Sequence, residues 1–366
     1  MGIALSSETK SGYLFVELIT KAKDHGKVVI LIDEYDKTIV KNKYASHIEE
    51  IRQVLENFYI NIKASNEHLR FVFMTGVTKF SKVSVFSKLN NLRDITMSET
   101  FATMYGYTQE EVNLYFGDRI DALAVKNKVD NTEYCERIQN WYNGFRFHED
   151  SPTVYNPVSL GMFINEGGRF SNFWFSTGSP SFIFKVLKRQ NIDFFDTLFR
   201  PVDSVILDSF DVANMQAAPL LLQTGYLTID RVEMLMNEPV YYLRFPNMEI
   251  ETAFEKHLVS SMAERSLDVV TSEIKQLQIA LVTNKTKDIE RILKSHIAAI
   301  PYTNRSNMEE NYQNIIYSVF RLLGAEIHNE VHINNGRIDT VIVNRNHIYI
   351  FEFKMEQAAK VAITQI

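Results

Sequence analysis

A single cysteine, Cys135, rules out a disulfide within the chain and a cysteine-based zinc site, and it suits a reducing compartment. Glycine and proline are scarce, 14 and 8 of 366 residues, so long disordered or linker-like stretches are not expected. The nine histidines include no H-E-x-x-H pair and no zinc-like spacing. No G-x-S-x-G elbow is present, which leaves covalent acyl-transfer chemistry unsupported. A G-x-x-x-x-G-K-[ST] phosphate loop is also missing: SSETKS at 6–11, upstream of the first apolar strand, contains no glycine. Nor is there an excess of positive charge. With a formal net charge of −6, the chain cannot hold a polyanion by bulk attraction, so any nucleic-acid contact must be local or metal-assisted. No apolar run approaches the ~18 residues of a membrane span. The start, MGIALSSETKSGYLF, has no signal-peptide pattern, so a cytoplasmic location without membrane contact is expected.

What is present is 45% hydrophobic residues, enough for two cores. Apolar residues recur at helical spacing over 12–25, where Leu14, Phe15, Leu18, Ile19 and Ala22 share a side, and over 45–63, where Ile48, Ile51, Leu55, Phe58 and Ile62 do so. VVILI at 28–32 and LRFVFMT at 69–75 are continuous apolar runs, the pattern of parallel strands covered on both faces. Strand, helix, strand predicts an α/β arrangement. Residues 211–224 and 249–300 read as mainly helical, and 308–323 as a further helix before two strands. The tryptophans and the many phenylalanines and tyrosines are expected in cores rather than stacked on bases.

Two places carry chemistry. The first is VVILIDEYDK at 28–37, where an apolar strand ends in Asp33 and Glu34, the layout of a Walker B segment. There an Asp can hold Mg²⁺ through water and the next acid can polarise an attacking water. The competing reading is that Asp33 caps the following turn and Glu34 is solvated. Thr75, at the end of the second run, could sense a phosphate or simply lead into a turn.

The second is RIDTVIV and HIYIFEFKM at 337–355, two strands joined by Asn344-Arg345-Asn346-His347, a hairpin signal. Val343 opposite Ile348 puts Asp339 directly across from Glu352. Facing carboxylates with Cβ atoms roughly 5 Å apart repel one another unless a cation lies between them. Lys354 shares a strand face with Glu352, while Phe351, Phe353 and Met355 point the other way. Asp339 and Glu352 as ligands of Mg²⁺ or Mn²⁺, with Lys354 as a catalytic cation, would form a site for phosphodiester hydrolysis. The alternative is an exposed hairpin with one polar face.

In several segments the chain resembles a bacterial AAA-ATPase-like family that carries a C-terminal PD-(D/E)XK nuclease domain. They are LIDEYDK (31–37), FMTGVTKFSKVSVFSKLNNLRDIT (73–96), YGYTQEEV (105–112), WYNGFRF (141–147), YNP (155–157), LLQTGYLTI (221–229), RFPNMEI (244–250), and GRID with IFEFK (336–339, 350–354). They run in order through nearly the whole chain. The resemblance implies an incomplete P-loop ATPase-like parallel α/β domain over 1–250, helical from about 100, then a helical connector over 251–300 and a restriction-endonuclease-like α/β domain over 301–366. It makes Asp33 and Glu34 the nucleotide and Mg²⁺ acids and implies ATP as a ligand, although the loop that would cradle its phosphates is missing. The family's nuclease motif continues through Ala362 and Gln365, and Gln365 would open the helix that follows the catalytic strand. Glu309, nearer the buried stripe of the 308–323 helix than Glu310, is the candidate for one more acid, the competing reading being a first-turn acid favoured by the helix dipole. Glu330 matches a family Glu, and its role is equally open. Relative to the family, the chain is expected to be truncated at both ends.

The expected partner is nucleic acid, DNA favoured over RNA, with a protein partner or self-association through the ATPase-like domain. Two rival readings stay open: a catalytically inactive scaffold descended from this family, and an ATPase active only with a separate phosphate-loop fragment.

Overall fold

The computed structural model describes residues 3–7, 10–42, 46–77, 89, 91–176, 183–184, 201–203, 217–262, 264–298, 319–320, 326–333, 336–344 and 347–351. Within them the first elements are α1 (Ser11–Ala22), β1 (Val28–Ile32), α2 (Lys37–Asn42), α3 (Ile48–Ala64) and β2 (Leu69–Met74). A helical stretch follows, with α4 (Gln109–Asn127), α5 (Asn131–Tyr142) and α6 (Pro157–Asn165). Then come β3 (Val202–Asp203), α7 (Ala217–Gln223), β4 (Thr228–Leu235) and β5 (Glu238–Arg244). Three helices, α8 (Met248–Met262), α9 (Leu267–Val282) and α10 (Thr286–Ala298), precede β6 (Glu326–Ile333), β7 (Gly336–Asn344) and β8 (His347–Phe351). This is a mixed α/β chain with a small parallel sheet near its N-terminus and a helical middle. Among the described residues no helix is long and apolar enough to cross a membrane.

The chain forms two compact units. The first comprises Met1–Glu110, Gly144–Val154 and Arg200–Arg244. In it β1 and β2 pair in parallel, with Val29 beside Phe71, Leu31 beside Phe73 and Ile32 beside Met74. Helix α1 packs on α3, where Phe15 stacks on Phe58 with ring centroids 4.6 Å apart. Ile19, Ile30, Ile39, Tyr59, Ile62 and Leu69 are buried. The cover expected on both faces of the sheet is present, among the described residues, on one face only. Ile30 is 7% exposed, but Val29 and Leu31, which share the opposite face, are 50% and 70% exposed, and Phe71 is 53% exposed. An apolar run reports that both faces favour cover; the cover itself comes from other segments, which the run does not encode. The unit also holds an antiparallel sheet in the order β3-β5-β4. Its β4–β5 hairpin turns through Met236 and Asn237, both with positive φ (50° and 70°), as a two-residue turn matched to strand twist requires.

The second unit comprises Glu111–Asn143, Tyr155–Phe199 and Phe245–Ile366. Several of the segments that carry the resemblance are structural here. Asn156 of YNP caps α6, accepting from the Val158 and Ser159 amides, and Pro157 occupies the first turn. Asn247 of RFPNMEI accepts from the Ile250 amide at the start of α8 and donates to the Asn143 carbonyl at 2.7 Å. Tyr142 of WYNGFRF is fully buried among Phe163, Phe170 and Phe173, and its hydroxyl donates to the Ser171 carbonyl. The aromatic wealth therefore builds a core here.

A second core joins α9 and α10 to the C-terminal sheet. Ile274, Leu277, Leu281 and Ile292 pack with Phe320 and Ile342, and Tyr349 and Phe351 close the cluster. The Tyr349 hydroxyl donates to the Leu281 carbonyl at 2.8 Å, and Phe320 meets Phe351 at 4.8 Å. The helices of the expected connector thus share a core with the hairpin strands.

Candidate functional site

At the carboxyl ends of β1 and β2, where ligands bind in open parallel sheets, the chain forms a cleft. It is lined by Leu31, Asp33, Glu34, Phe73, Thr75 and Tyr105, among others. Asp33 and Glu34 are both exposed. Asp33 Oδ1 accepts from the Thr75 hydroxyl at 2.5 Å and from the Glu34 amide at 2.9 Å. Glu34 takes the left-handed backbone conformation, φ 53°, uncommon for a residue with a side chain. Its carboxylate pairs with Lys37 at 2.5 Å, and that hydrogen bond raises the Lys37 ammonium above its ordinary pKa. Both acids are thus engaged within the chain, Asp33 by a turn amide and a hydroxyl and Glu34 by a lysine.

Two residues here lie in segments that carry the resemblance, yet sequence reasoning assigns neither a role in the site. Tyr105 stands on the cleft, its phenol pushed up by desolvation and by the charge of Asp33; a tyrosine about 70 residues away along the chain leaves no spacing signal. Asp36 is 1% exposed and accepts from the Val77 amide at 3.1 Å. It lies inside a run of charged residues, where a buried carboxylate is not evident. Gly76 is needed for close approach: a Cβ there would stand 2.5 Å from the Tyr35 ring and 2.8 Å from Asp36 Oδ1. Gly76→Ala is therefore expected to destabilise the first unit by about 1–3 kcal/mol, the usual cost of overpacking. Urea unfolding followed by circular dichroism measures this.

His148, Glu149 and Asp150 bring ligand atoms within 4.8 Å of one another. His148 Nδ1 already accepts from the Asp150 amide at 3.2 Å, so the local turn accounts for the cluster.

In the C-terminal sheet, β7 and β8 pair antiparallel in the expected register, Val343 with Ile348 and Asn344 with His347, through to Thr340 with Phe351. Asp339 lies in β7 and Glu330 in β6. Their side chains, and Glu309, Glu352, Lys354 and Gln365 entirely, fall outside the described residues. Thr340 and Ile342 are buried, and Phe351 packs in the core with Ile342. On the other face Ile348 and Ile350 are 69% and 47% exposed.

Residues 4–86 match the family described as predicted AAA-ATPase, and residues 307–366 match the PD-(D/E)XK nuclease superfamily. Over 365 residues the chain is 34% identical to the protein named "Uncharacterized protein in vnfD 5'region" of Azotobacter chroococcum mcd 1. The match covers 97% of this chain and 67% of that relative. The chain belongs to the AAA-ATPase-like family with a C-terminal PD-(D/E)XK nuclease region. No solved structure matches it. Both matches bear on the sites above: the AAA-ATPase-like region contains Asp33, Glu34 and Thr75, and the nuclease region contains β7 and β8.

Proposed function

We propose that the chain is a metal-dependent phosphodiester hydrolase, with a restriction-endonuclease-like C-terminal domain acting on nucleic acid, DNA in preference to RNA. The β7–β8 register carries this reading. Continued by one pair beyond the described residues, that register would set Asp339 opposite Glu352. Strand alternation assigns both to the face of Ile348 and Ile350, which is open to solvent, rather than to the face of Ile342 in the core. Two carboxylates are hard oxygen donors and fit Mg²⁺ or Mn²⁺ better than a softer metal. When bound, such a cation neutralises charge at the scissile phosphate and acidifies water.

In this reading Asp339 and Glu352 would hold the cation, which would supply the contact to the phosphate. Lys354, two residues after Glu352 and so on the same face, orients the attacking water or steadies negative charge as it develops on the phosphate. By the family resemblance Glu309 would add one more acid and Gln365 would open the helix after the catalytic strand. The N-terminal part, 1–250, is read as a P-loop ATPase-like domain and 251–300 as the helical link to the nuclease-like domain. With both Asp33 and Glu34 engaged inside the chain, the N-terminal part is read as regulating or recruiting rather than hydrolysing ATP.

Titration calorimetry with Mn²⁺ tests the metal site. The whole chain is expected to bind Mn²⁺, and Asp339→Ala to abolish the binding heat while circular dichroism stays unchanged. Equal Mn²⁺ affinity in both proteins would refute the ligand assignment.

A further inference from the structure

Among the described residues, the parallel pair β1–β2 has one face without cover. Because side chains alternate along a strand, Val29, Leu31 and Asp33 share that face, and their in-register neighbours Phe71, Phe73 and Thr75 share it with them. Val29, Leu31 and Phe71 are half or more exposed, and Phe71 and Phe73 stack on each other with centroids 6.0 Å apart. The result is a continuous apolar strip that ends at a carboxylate. Thr75 and the Glu34 amide fix that carboxylate in place, and among the described residues Asp33 has no ion pair, because Lys37 pairs with Glu34. Tyr105, 57% exposed, stands beside it.

Parallel sheets are found with helices over both faces, because their strands carry apolar side chains on both. An amphipathic helix laid on the strip would supply that cover. Its end at the cleft would meet Asp33 and the ring face of Tyr105. Both attract a cation, the first by charge and the second by its quadrupole. A helix ending in acids would be repelled.

We infer that the open face of β1–β2 is a docking surface for an amphipathic helix of another polypeptide, apolar along one side and carrying a lysine or arginine at the end that meets Asp33. The inference is independent of the nuclease reading, which concerns the other compact unit.

The test uses two synthetic peptides of about 18 residues, roughly five helical turns. Both have leucines along one side and glutamines elsewhere, and they differ only in ending in two lysines or in two glutamates. Binding to the whole chain is read by fluorescence anisotropy at low salt. The lysine-ended peptide is expected to bind, and the glutamate-ended one about fivefold more weakly or worse, the scale of an exposed charge pair. Leu31→Asp should weaken the lysine-ended peptide by about tenfold or more, because a buried leucine contact is lost. Asp33→Lys should reverse the preference between the two peptides, which a nonspecific apolar surface would not do. Leu31 is 70% exposed, so its replacement should leave the circular dichroism spectrum intact. The inference is overturned if neither substitution changes binding, or if both peptides bind alike. It is equally overturned if Leu31→Asp unfolds the chain, or if sedimentation shows a dimer of this chain that Leu31→Asp dissolves.

Discussion

Replacing Lys354 with alanine is expected to lower Mn²⁺-dependent cleavage of duplex DNA by about 10²–10³-fold, the scale on which removing one preorganised donor acts at a transition state. In the proposed site the ammonium is not a metal ligand. Mn²⁺ binding should therefore survive Lys354→Ala, and the loss should fall on kcat rather than on KM, as for an interaction made mainly in the transition state. Glu352→Gln should differ, with Mn²⁺ affinity and cleavage falling together. Asp33→Asn, in the other unit, should leave cleavage of naked DNA unchanged. If Lys354→Ala cuts at the wild-type rate, the catalytic assignment fails. If Glu352→Gln binds Mn²⁺ normally, the metal assignment fails. The net charge of −6 adds a further mark. With few basic contacts to displace counterions, KM should vary less steeply with salt than in a protein that clamps many phosphates.

The hairpin could be anticipated because three local signals agree there. Strand-forming residues over RIDTVIV and HIYIF, turn residues at 344–347 and a fixed strand period give a register, Val343 opposite Ile348, that keeps Ile342, Tyr349 and Phe351 on one side, and that is the register observed. The β1–α3–β2 order was legible for a different reason, since a short unbroken apolar run, VVILI, stands apart from the period-3.6 pattern of IEEIRQVLENFYI. Coverage was not legible. Val29 and Leu31 are as apolar as Ile30, and only three-dimensional packing decides that one is buried and two are bare. The lining of the cleft was half legible. A strand end announces Asp33, but Tyr105 arrives from a distant segment and Thr75 shows its role only through the hydroxyl it offers Asp33. The motifs at 141–147, 155–157 and 244–250 looked as distinctive as the acids, yet they resolve into caps and a buried aromatic cluster. Distinctiveness in sequence does not separate a helix cap from a catalytic group, because both demand a particular polar atom at a particular place.

A last consequence concerns α8, where Glu255 is 1% exposed. Burial pushes its carboxyl up to about 8, from an ordinary value of 4.5. The sign follows from proton counting. Below pH 4.5 the acid is protonated whether the chain is folded or not, and it adds no pH dependence. Between 4.5 and about 8 the folded state keeps a proton that the unfolded state has released, so stability falls as pH rises. The slope approaches ~1.4 kcal/mol per pH unit, and the total loss is of the order of a few kcal/mol. Glu255→Gln keeps the shape and removes the titration. In urea unfolding at pH 5, 6, 7 and 8, the two proteins should therefore lie close together at the acid end and separate steadily, the Gln variant becoming the more stable by a few kcal/mol at pH 8. Glu249, also fully buried on α8, is raised by burial as well, but it accepts from the Phe173 and Trp174 amides at 2.6 and 2.9 Å, bonds that favour its charged form. Glu249→Gln should consequently show the weaker divergence of the two. A gap between wild type and Glu255→Gln that is constant with pH would mean that the carboxyl at 255 is charged in the folded chain throughout, and that its surroundings favour the charged form over the whole range.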